Sequence, residues 1–245
     1  MSRMLAIGLS SFALAGAAAA ADTVYFGFDR NTTGQIPFVP ATNSDNARAG
    51  FVAALPGQSF GEDFEAYAPN TLPGTWGFGG GLSMGFTSLT PNSARMYNAP
   101  INGLHATSGS KFLDSFAATP GKDLWKLTSP TALFAIGFNT SDMDDWLNSS
   151  GITPKAWELV LDGPGGQRVF NLMPGVPLSA VPSGSRTFWG VVTDEAFTSA
   201  TLRKPGFSPS GGEGFAIDDV IVAVPSPASG LGLIAGAMMM GRRRK

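Results

Sequence analysis

With 245 residues, 43% of them hydrophobic, and no cysteine, the chain can bury a sizeable core but cannot use thiol catalysis or cysteine-based zinc sites. The formal charge is −2, but removing Arg3 and the four cationic residues 242–245 from the 16 Lys and Arg leaves 11 against 18 Asp and Glu. The remaining body has a charge of −7, which argues against nucleic acid as a partner because phosphate binding needs positive charge.

The N-terminus has the three parts of a secretory signal peptide. Arg3 supplies a positive start, residues 5–18 form an apolar segment, and the alanines 19–21 form a small-residue cleavage site. We therefore predict that residues 1–21 direct export and are removed. The alternative is that the apolar segment stays uncleaved as an anchor.

Residues 22–58 are predicted to form a strand, a loop and one short helix. The helix is expected over residues 44–55, which are rich in alanine. Ser44 is a suitable N-terminal cap, and Phe51 and Leu55 lie four residues apart on one helical face.

Residues 59–223 are predicted to form a β-sandwich. The 32 glycines and 18 prolines of the chain favour a turn-rich β protein over a helical one. Short strand-like segments alternate with Gly, Pro and Asn turns without intervening helices, which is typical of an antiparallel sandwich. Two segments have the period of two that directs side chains to one face, with Phe134, Ile136 and Phe138 inward in the first and Trp157, Leu159 and Leu161 inward in the second.

The closing strand of this body, residues 215–223, contains two neighbouring carboxylates. Strict alternation places Asp219 on one face with the apolar residues Phe215 and Ile221, and Asp218 on the other face. An unpaired charge among apolar side chains costs on the order of several kcal/mol. We therefore expect at least one carboxylate to meet a cation, backbone amides or water.

Residues 224–245 have three successive parts. A Pro-x-Pro segment comes first, an apolar run over residues 230–241 follows, and the end is cationic. As a helix the apolar run would rise about 18 Å, against a hydrocarbon core of about 30 Å, so it is too short for a comfortable permanent span. The residues that define the first and last parts are Pro225, Ser226, Pro227, Ala228, Arg242, Arg243 and Arg244.

This order resembles the PEP-CTERM sorting signal of bacterial surface and exopolysaccharide-associated proteins. In that family a Pro-Glu-Pro motif precedes a short hydrophobic helix and an arginine-rich end, and an exosortase processes the tail. Ser226 departs from the usual glutamate. The resemblance implies a precursor anchored in the inner membrane and then a protein of the cell surface or extracellular matrix. An uncleaved single-helix anchor is the alternative.

The body has a resemblance of its own, which covers residues 44–222. An alanine-rich helix, an acidic Phe-Glu strand and a closing Gly-Phe-x-Ile-Asp-Asp-Val strand resemble the jelly-roll domains that often accompany PEP-CTERM tails. We therefore predict an all-β, antiparallel jelly-roll-like β-sandwich with one short N-terminal helix, an N-terminal signal helix and a C-terminal hydrophobic helix.

The same resemblance implies a structural calcium site. In such jelly-roll modules an oxygen-lined calcium site often joins the last strand to the first, and here Asp63, Glu65 and Asp219 are the candidate ligands. Calcium would then raise the melting temperature, and a chelator would remove the gain. The alternative is an aspartate whose oxygens accept hydrogen bonds from turn amides.

The sequence shows no catalytic constellation. His105 is the only histidine, so a multi-histidine metal site is excluded, and no Gly-x-Ser-x-Gly motif is present. We therefore predict an exported, non-catalytic surface or matrix protein that binds exopolysaccharide. Trp76 and Trp146 lie in loop-like sequence and are candidate sugar-stacking residues, and the alternative is that they pack in the core or against a loop. The alternative is a secreted polysaccharide-active hydrolase that uses a pair of carboxylates.

Overall fold

The computed structural model describes residues 21–37, 40–72, 74–117, 122–143, 157–177, 181–205 and 213–225. The predicted signal helix up to residue 20, Trp146 and the predicted tail from Ser226 onward therefore lie outside the described residues. Among the described ranges, no helix is both long and apolar enough to cross a membrane.

In the described residues the chain forms eleven strands and one α-helix. In chain order they are β1 (Thr23–Asp29), α1 (Thr42–Ala53), β2 (Gly57–Glu62), β3 (Thr75–Gly77), β4 (Ser83–Ser88), β5 (Ala94–Tyr97), β6 (Phe112–Ala117), β7 (Lys122–Ser141), β8 (Glu158–Gly163), β9 (Gly166–Asn171), β10 (Arg186–Lys204) and β11 (Glu213–Pro225). A short 3-10 turn, Gly79–Gly81, lies between β3 and β4. Every pairing between these strands is antiparallel, so the predicted all-β antiparallel class is confirmed.

The two longest strands, β7 and β10, belong to both layers of the sandwich. In the first layer, residues 135–141 of β7 pair with residues 186–192 of β10. This layer continues beyond β10 to β1, and beyond β7 to β11, which pairs in turn with β2 and with β6, and β6 pairs with β5. Residues 122–128 of β7 pair with residues 199–204 of β10, and this second layer continues to β4 and β3 on one side and to β8 and β9 on the other. The β7–β10 register shifts between these halves, which is where the strands pass from one layer to the other.

The main core lies between the two layers and contains side chains from both. Trp157 of the second layer contacts Phe215 of the first, with ring centroids 4.6 Å apart. The predicted inward residues Trp157, Leu159 and Leu161 are fully buried, so that alternation is confirmed. The prediction for Phe134 is wrong, because the register shift gives the buried core position to Leu133 instead.

The predicted helix is present as α1, but its N-terminus is capped differently from the prediction. Ser44 lies inside the helix, and Asp29 at the end of β1 is the residue that satisfies the helix N-terminus. The Asp29 carboxylate accepts the N–H of Asn43 at 2.9 Å, the N–H of Ser44 at 2.7 Å and the Ser44 hydroxyl at 2.6 Å. A buried negative charge at this position also complements the helix dipole, so α1 and β1 are held together by one side chain.

Helix α1 packs on the outer face of the first layer, where glycines leave room for it. The ring of Phe51 is fully buried there. A Cβ atom at Gly190 would lie 2.8 Å from the Phe51 ring, and one at Gly137 would lie 2.9 Å from it. A Cβ atom at Gly27 would meet the backbone oxygen of Asn43 at 2.1 Å. These glycines of β1, β7 and β10 therefore allow the helix to approach the sheet closely.

A β-bulge in β11 changes the faces predicted for the closing strand. The pairing of β11 with β7 shifts between Asp218 and Ile221, and Asp219 adopts a positive φ of 51°. Val220 consequently points into the main core with Phe215, whereas Ile221 faces α1. The predicted face shared by Asp219, Phe215 and Ile221 is therefore wrong, because the bulge inserts an extra residue and reverses the alternation.

Candidate functional site

Glu65, one of the predicted calcium ligands, binds a neighbouring loop instead of facing Asp219. Its carboxylate accepts the N–H of Ser110 at 2.6 Å, the N–H of Lys111 at 2.7 Å and the Ser110 hydroxyl at 3.0 Å. Partial burial raises the pKa of Glu65, but these donated bonds outweigh burial and hold the pKa below its ordinary value. The Glu65 carboxylate therefore holds the loop that precedes β6 in place.

Asp218 and Asp219, the two carboxylates at the β11 bulge, bind the same loop at Thr107 and Ser108, just before the Ser110 that Glu65 binds. Asp218 accepts the N–H groups of Thr107 at 2.7 Å and Ser108 at 2.9 Å. Asp219 accepts the Ser108 hydroxyl at 2.7 Å and the side-chain amide of Asn139 at 3.0 Å. Burial, followed by the nearby charge of Asp219, raises the pKa of Asp218 to about 6. Both aspartates therefore accept hydrogen bonds from protein groups, as in the alternative to a calcium site.

A cavity of about 420 Å³ lies beside the bulge, lined by Arg48 of α1 together with Glu62, Asp63 and Asp219. Asp63 and Asp219 thus come to one cavity, while Glu65 is not among its lining residues. In the described part of the chain, no three His, Cys, Asp or Glu side chains form a group that could hold a metal ion. The guanidinium of Arg48 also opposes a divalent cation in this cavity. Calcium binding stays a prediction.

Trp76 is not available for sugar stacking. Its side chain is 0% exposed and packs in the core against Phe64 and Phe86, each with ring centroids 4.9 Å away. The flat face of Phe86 stacks on the indole, so protein covers the surface that a sugar would need. The prediction for Trp76 is therefore wrong: the residue follows a loop-like sequence but lies in the short strand β3 with its side chain inward.

His105 is also part of the packed interior. It is buried, and its Nδ1 atom lies 2.9 Å from the carbonyl oxygen of Gly103. Burial lowers the pKa of His105, so the imidazole is neutral at physiological pH. In the part of the chain that the structure describes, its Nε2 atom is buried without a hydrogen-bond partner, so no described side chain is paired with it as in a catalytic base.

The structure instead brings polar and aromatic side chains together on the outer face of β5 and β6. Arg95 of β5 lies directly opposite Asp114 of β6, and Tyr97 and Phe116 lie on the same face by the period of two. These four residues and Asn92 line a cavity of about 360 Å³. We call this set the β5–β6 patch.

A second cavity of about 210 Å³ adjoins the patch on the other side of β5. It is lined by the segment 70–72 and by Asn92, Ala94 and Arg95. The segment is held in place because the N–H of Asn70 donates to the carbonyl of Met96 at 2.8 Å, and the N–H of Met96 donates back to Thr71 at 3.0 Å. The two cavities therefore meet at Asn92 and Arg95, which line both.

The two charged groups of the patch have few protein partners. In the described residues no ion pair within 4.0 Å includes Arg95. Among the described residues the Oδ1 atom of Asp114 is buried without a hydrogen-bond partner, and burial raises the pKa of Asp114 to about 6 although Arg95 acts to lower it. Gly214 packs closely against this oxygen, since a Cβ atom there would lie 3.0 Å from it. The patch thus offers a guanidinium that has no ion pair within 4.0 Å in the described residues, with the carboxylate of Asp114 beside it as an acceptor.

The β5–β6 patch was not predicted from the sequence. Each strand shows the right alternation, with Ala94 and Met96 buried beneath Arg95 and Tyr97. That alternation could have suggested two outward polar and aromatic positions in a short strand. The sequence contains no signal for the register that places Arg95 opposite Asp114.

Comparisons with known proteins are distant. No protein-family model matches the sequence, and no curated protein is similar to it. Among solved structures, the K1 cleaved adhesin domain of Lys-gingipain from Porphyromonas gingivalis is 10% identical, with a TM-score of 0.40 over 69% of this chain and 100% of that chain. The structure of TmCBM61 in complex with beta-1,4-galactotriose is 13% identical, with a TM-score of 0.28 over 57% of this chain and 87% of that chain. These similarities are too remote to assign a function.

Proposed function

We propose that this chain is an exported, non-catalytic protein of the cell surface or extracellular matrix that binds polysaccharide through the β5–β6 patch. The observation that carries the proposal is the patch itself: two adjoining cavities in which aromatic rings, an amide, a guanidinium and a carboxylate are close together. A sugar ring has apolar C–H faces and a rim of hydroxyls. It therefore needs both flat aromatic surface and polar groups that donate and accept hydrogen bonds.

Each residue type in the patch matches one of these needs. Tyr97 and Phe116 are half-buried, and the Tyr97 ring stacks on Phe112 with centroids 5.9 Å apart. Both residues are therefore held in place while part of their surface stays exposed. The Asp114 carboxylate lines the larger cavity and can accept a hydrogen bond from a hydroxyl, and the amide of Asn92 can both donate and accept.

Affinity electrophoresis of the full chain against a panel of neutral and acidic polysaccharides tests whether the patch binds glycan. Tyr97→Ala is expected to weaken binding about tenfold or more, because a lost aromatic contact of about 1.5–3 kcal/mol corresponds to at least that factor. Val169→Ala serves as the control, since Val169 is 49% exposed on β9 away from the patch strands, and it is expected to bind normally.

Two results would contradict the proposal. If no polysaccharide in the panel retards the protein, or if both variants bind as the unmodified chain does, the patch is not a glycan site. Release of reducing sugar from a bound polysaccharide, abolished by one Asp or Glu substitution, would favour the hydrolase alternative. Thermal melting of each variant separates lost binding from lost folding.

We further propose that residues 1–21 direct export and that the tail is a variant PEP-CTERM signal read by an exosortase-type enzyme at the inner membrane. What supports this is the resemblance of the Pro-Ser-Pro segment, the apolar run and the arginine-rich end to such signals. Truncation after Pro225 is the suitable test, because β11 extends to Pro225 and pairs with Gly57 there. The truncated protein is expected in the medium and the full chain in the cell envelope. Equal release of both would contradict sorting, and an intact C-terminus on the surface-bound form would favour simple anchoring.

A further inference from the structure

Arg95 occupies a particular position between the two cavities of the patch. It lines both of them, its side chain is exposed, and it has no ion pair in the described residues. We infer that the β5–β6 patch takes an anionic polysaccharide of the uronate type, with Arg95 binding the carboxylate of a sugar seated in the smaller cavity. This inference rests on the proposed function, because it names the class of glycan that the same patch binds.

The charges divide the two cavities into different kinds of subsite. Of the described residues that line the smaller cavity, Arg95 is the only charged one, and its neighbours there include the polar side chains Asn70, Thr71 and Asn92. The larger cavity contains Asp114 as well as Arg95. A carboxylate is therefore favoured in the smaller cavity, whose described lining contains no acid, and a hydroxyl is favoured beside Asp114.

The chemistry of arginine favours a carboxylate as the group in the smaller cavity. A guanidinium presents a planar fork of N–H donors that matches a carboxylate with two parallel hydrogen bonds. The body of the protein carries excess negative charge, so long-range attraction does not draw acidic polymers to it. Affinity for such a polymer must come from a local contact, and Arg95 provides one.

A ligand that fills both cavities at once must have two consecutive sugar units. The first unit places its carboxylate at Arg95, and the second places a hydroxyl at Asp114 and its ring beside Tyr97 and Phe116. This arrangement recognises the interior of a chain because it depends on neighbouring units and on neither chain end.

The affinity of the protein for polygalacturonate is compared with its affinity for the methyl ester, which has the same backbone without the charge, and for dextran sulfate. Binding of the full chain is measured by isothermal titration calorimetry at 0.1 M salt. Polygalacturonate is expected to bind at least tenfold more tightly than its ester, since charge-assisted hydrogen bonds contribute about 1.5–3 kcal/mol. Arg95→Gln is expected to reduce polygalacturonate affinity to that of the ester, and Arg95→Lys to restore only part of it because the fork is lost.

Arg30→Gln is the matched control. Arg30 is exposed in the segment after β1 and is not part of the patch, so its removal changes the net charge equally and is expected to leave binding within twofold. An equal loss in both variants would mean nonspecific charge attraction and would overturn the inference. Tighter, Arg95-dependent binding of dextran sulfate would overturn the uronate assignment. Binding of the ester and the acid with equal affinity would overturn the inference but leave the proposed function standing, whereas no binding of any glycan would overturn the proposed function.

Discussion

Phe51→Ala is expected to lower the free energy of unfolding by about 3–5 kcal/mol, the range for removing a fully buried phenylalanine ring. The ring is 0% exposed and lies between α1 and the glycines of β7 and β10. It contacts Phe188 and Tyr25, with centroids 5.5 and 5.9 Å away. Because Gly137 and Gly190 have no side chains, the sheet beneath the ring has nothing at these two positions to fill the space, and the cavity cost should be near the upper end. Urea unfolding of the full chain measures the change.

Val52→Ala is the control for Phe51→Ala, because Val52 is the next residue of the helix and is 45% exposed. Its expected effect is within about 0.5 kcal/mol. A double-mutant cycle adds a sharper test. Gly190→Ala should cost about 1–3 kcal/mol in the unmodified chain, where the new Cβ meets the Phe51 ring at 2.8 Å, and less in the Phe51→Ala background, where only the Phe188 ring at 3.1 Å still contacts it. A loss below 1 kcal/mol for Phe51→Ala, or additive costs in the cycle, would mean that α1 is not docked through this ring.

Asp114→Asn is expected to stabilise the fold at pH 7.5 by up to about 3 kcal/mol, and to have little effect at pH 3.5. Burial raises the pKa of Asp114 from 3.8 to about 6, so the folded state disfavours the charged form. Each unit of such a shift corresponds to about 1.36 kcal/mol. The stability associated with the protonated group is fully present below pH 3.8 and is lost as the pH rises through about 6. Asparagine keeps the shape of the side chain without the charge, so it avoids that loss.

The pH dependence distinguishes this effect from a change in packing. In the unmodified chain, Asp218 contributes in the same direction, because its pKa is also raised to about 6. Asp114→Asn should therefore reduce, without abolishing, the fall in unfolding free energy between pH 4 and pH 6.5. Asp123→Asn on β7 is the control, since Asp123 is exposed and its effect should stay within about 0.5 kcal/mol. An equal effect of Asp114→Asn at pH 3.5 and pH 7.5, or destabilisation at pH 7.5, would show that the buried charge carries no such cost.

The parts of the fold that follow local patterns could be predicted from the sequence. The period of two at Trp157, Leu159 and Leu161 identified β8 and its buried face, and the alanine-rich segment identified α1. Local alternation failed where the backbone departs from regular geometry. Asp219, which has a positive φ, is the extra residue of a bulge. A pattern of alternating inward and outward residues does not reveal such a bulge in advance.

The candidate site was less predictable, because it depends on which strands are neighbours. Arg95 and Asp114 form a pair only through the β5–β6 register, and the smaller cavity exists only because residues 70–72 lie beside β5. Trp76 shows the opposite difficulty. Its glycine-rich neighbours suggested an exposed loop, whereas the contacts with Phe64 and Phe86 that bury it come from other segments of the chain.

The pairing of the first strands with the last ones determines when this protein can fold during synthesis. β1 pairs with β10, and β2 pairs with β11, so neither of these early strands has its partner until nearly the whole body has left the ribosome. Folding therefore depends on contacts between residues far apart in the chain, which is slow compared with the formation of local hairpins. Until then the early strands keep unpaired backbone edges that can associate with other chains. A chain that stops before residue 213 lacks β11, and β2, β6 and β7 each lose a neighbour at once.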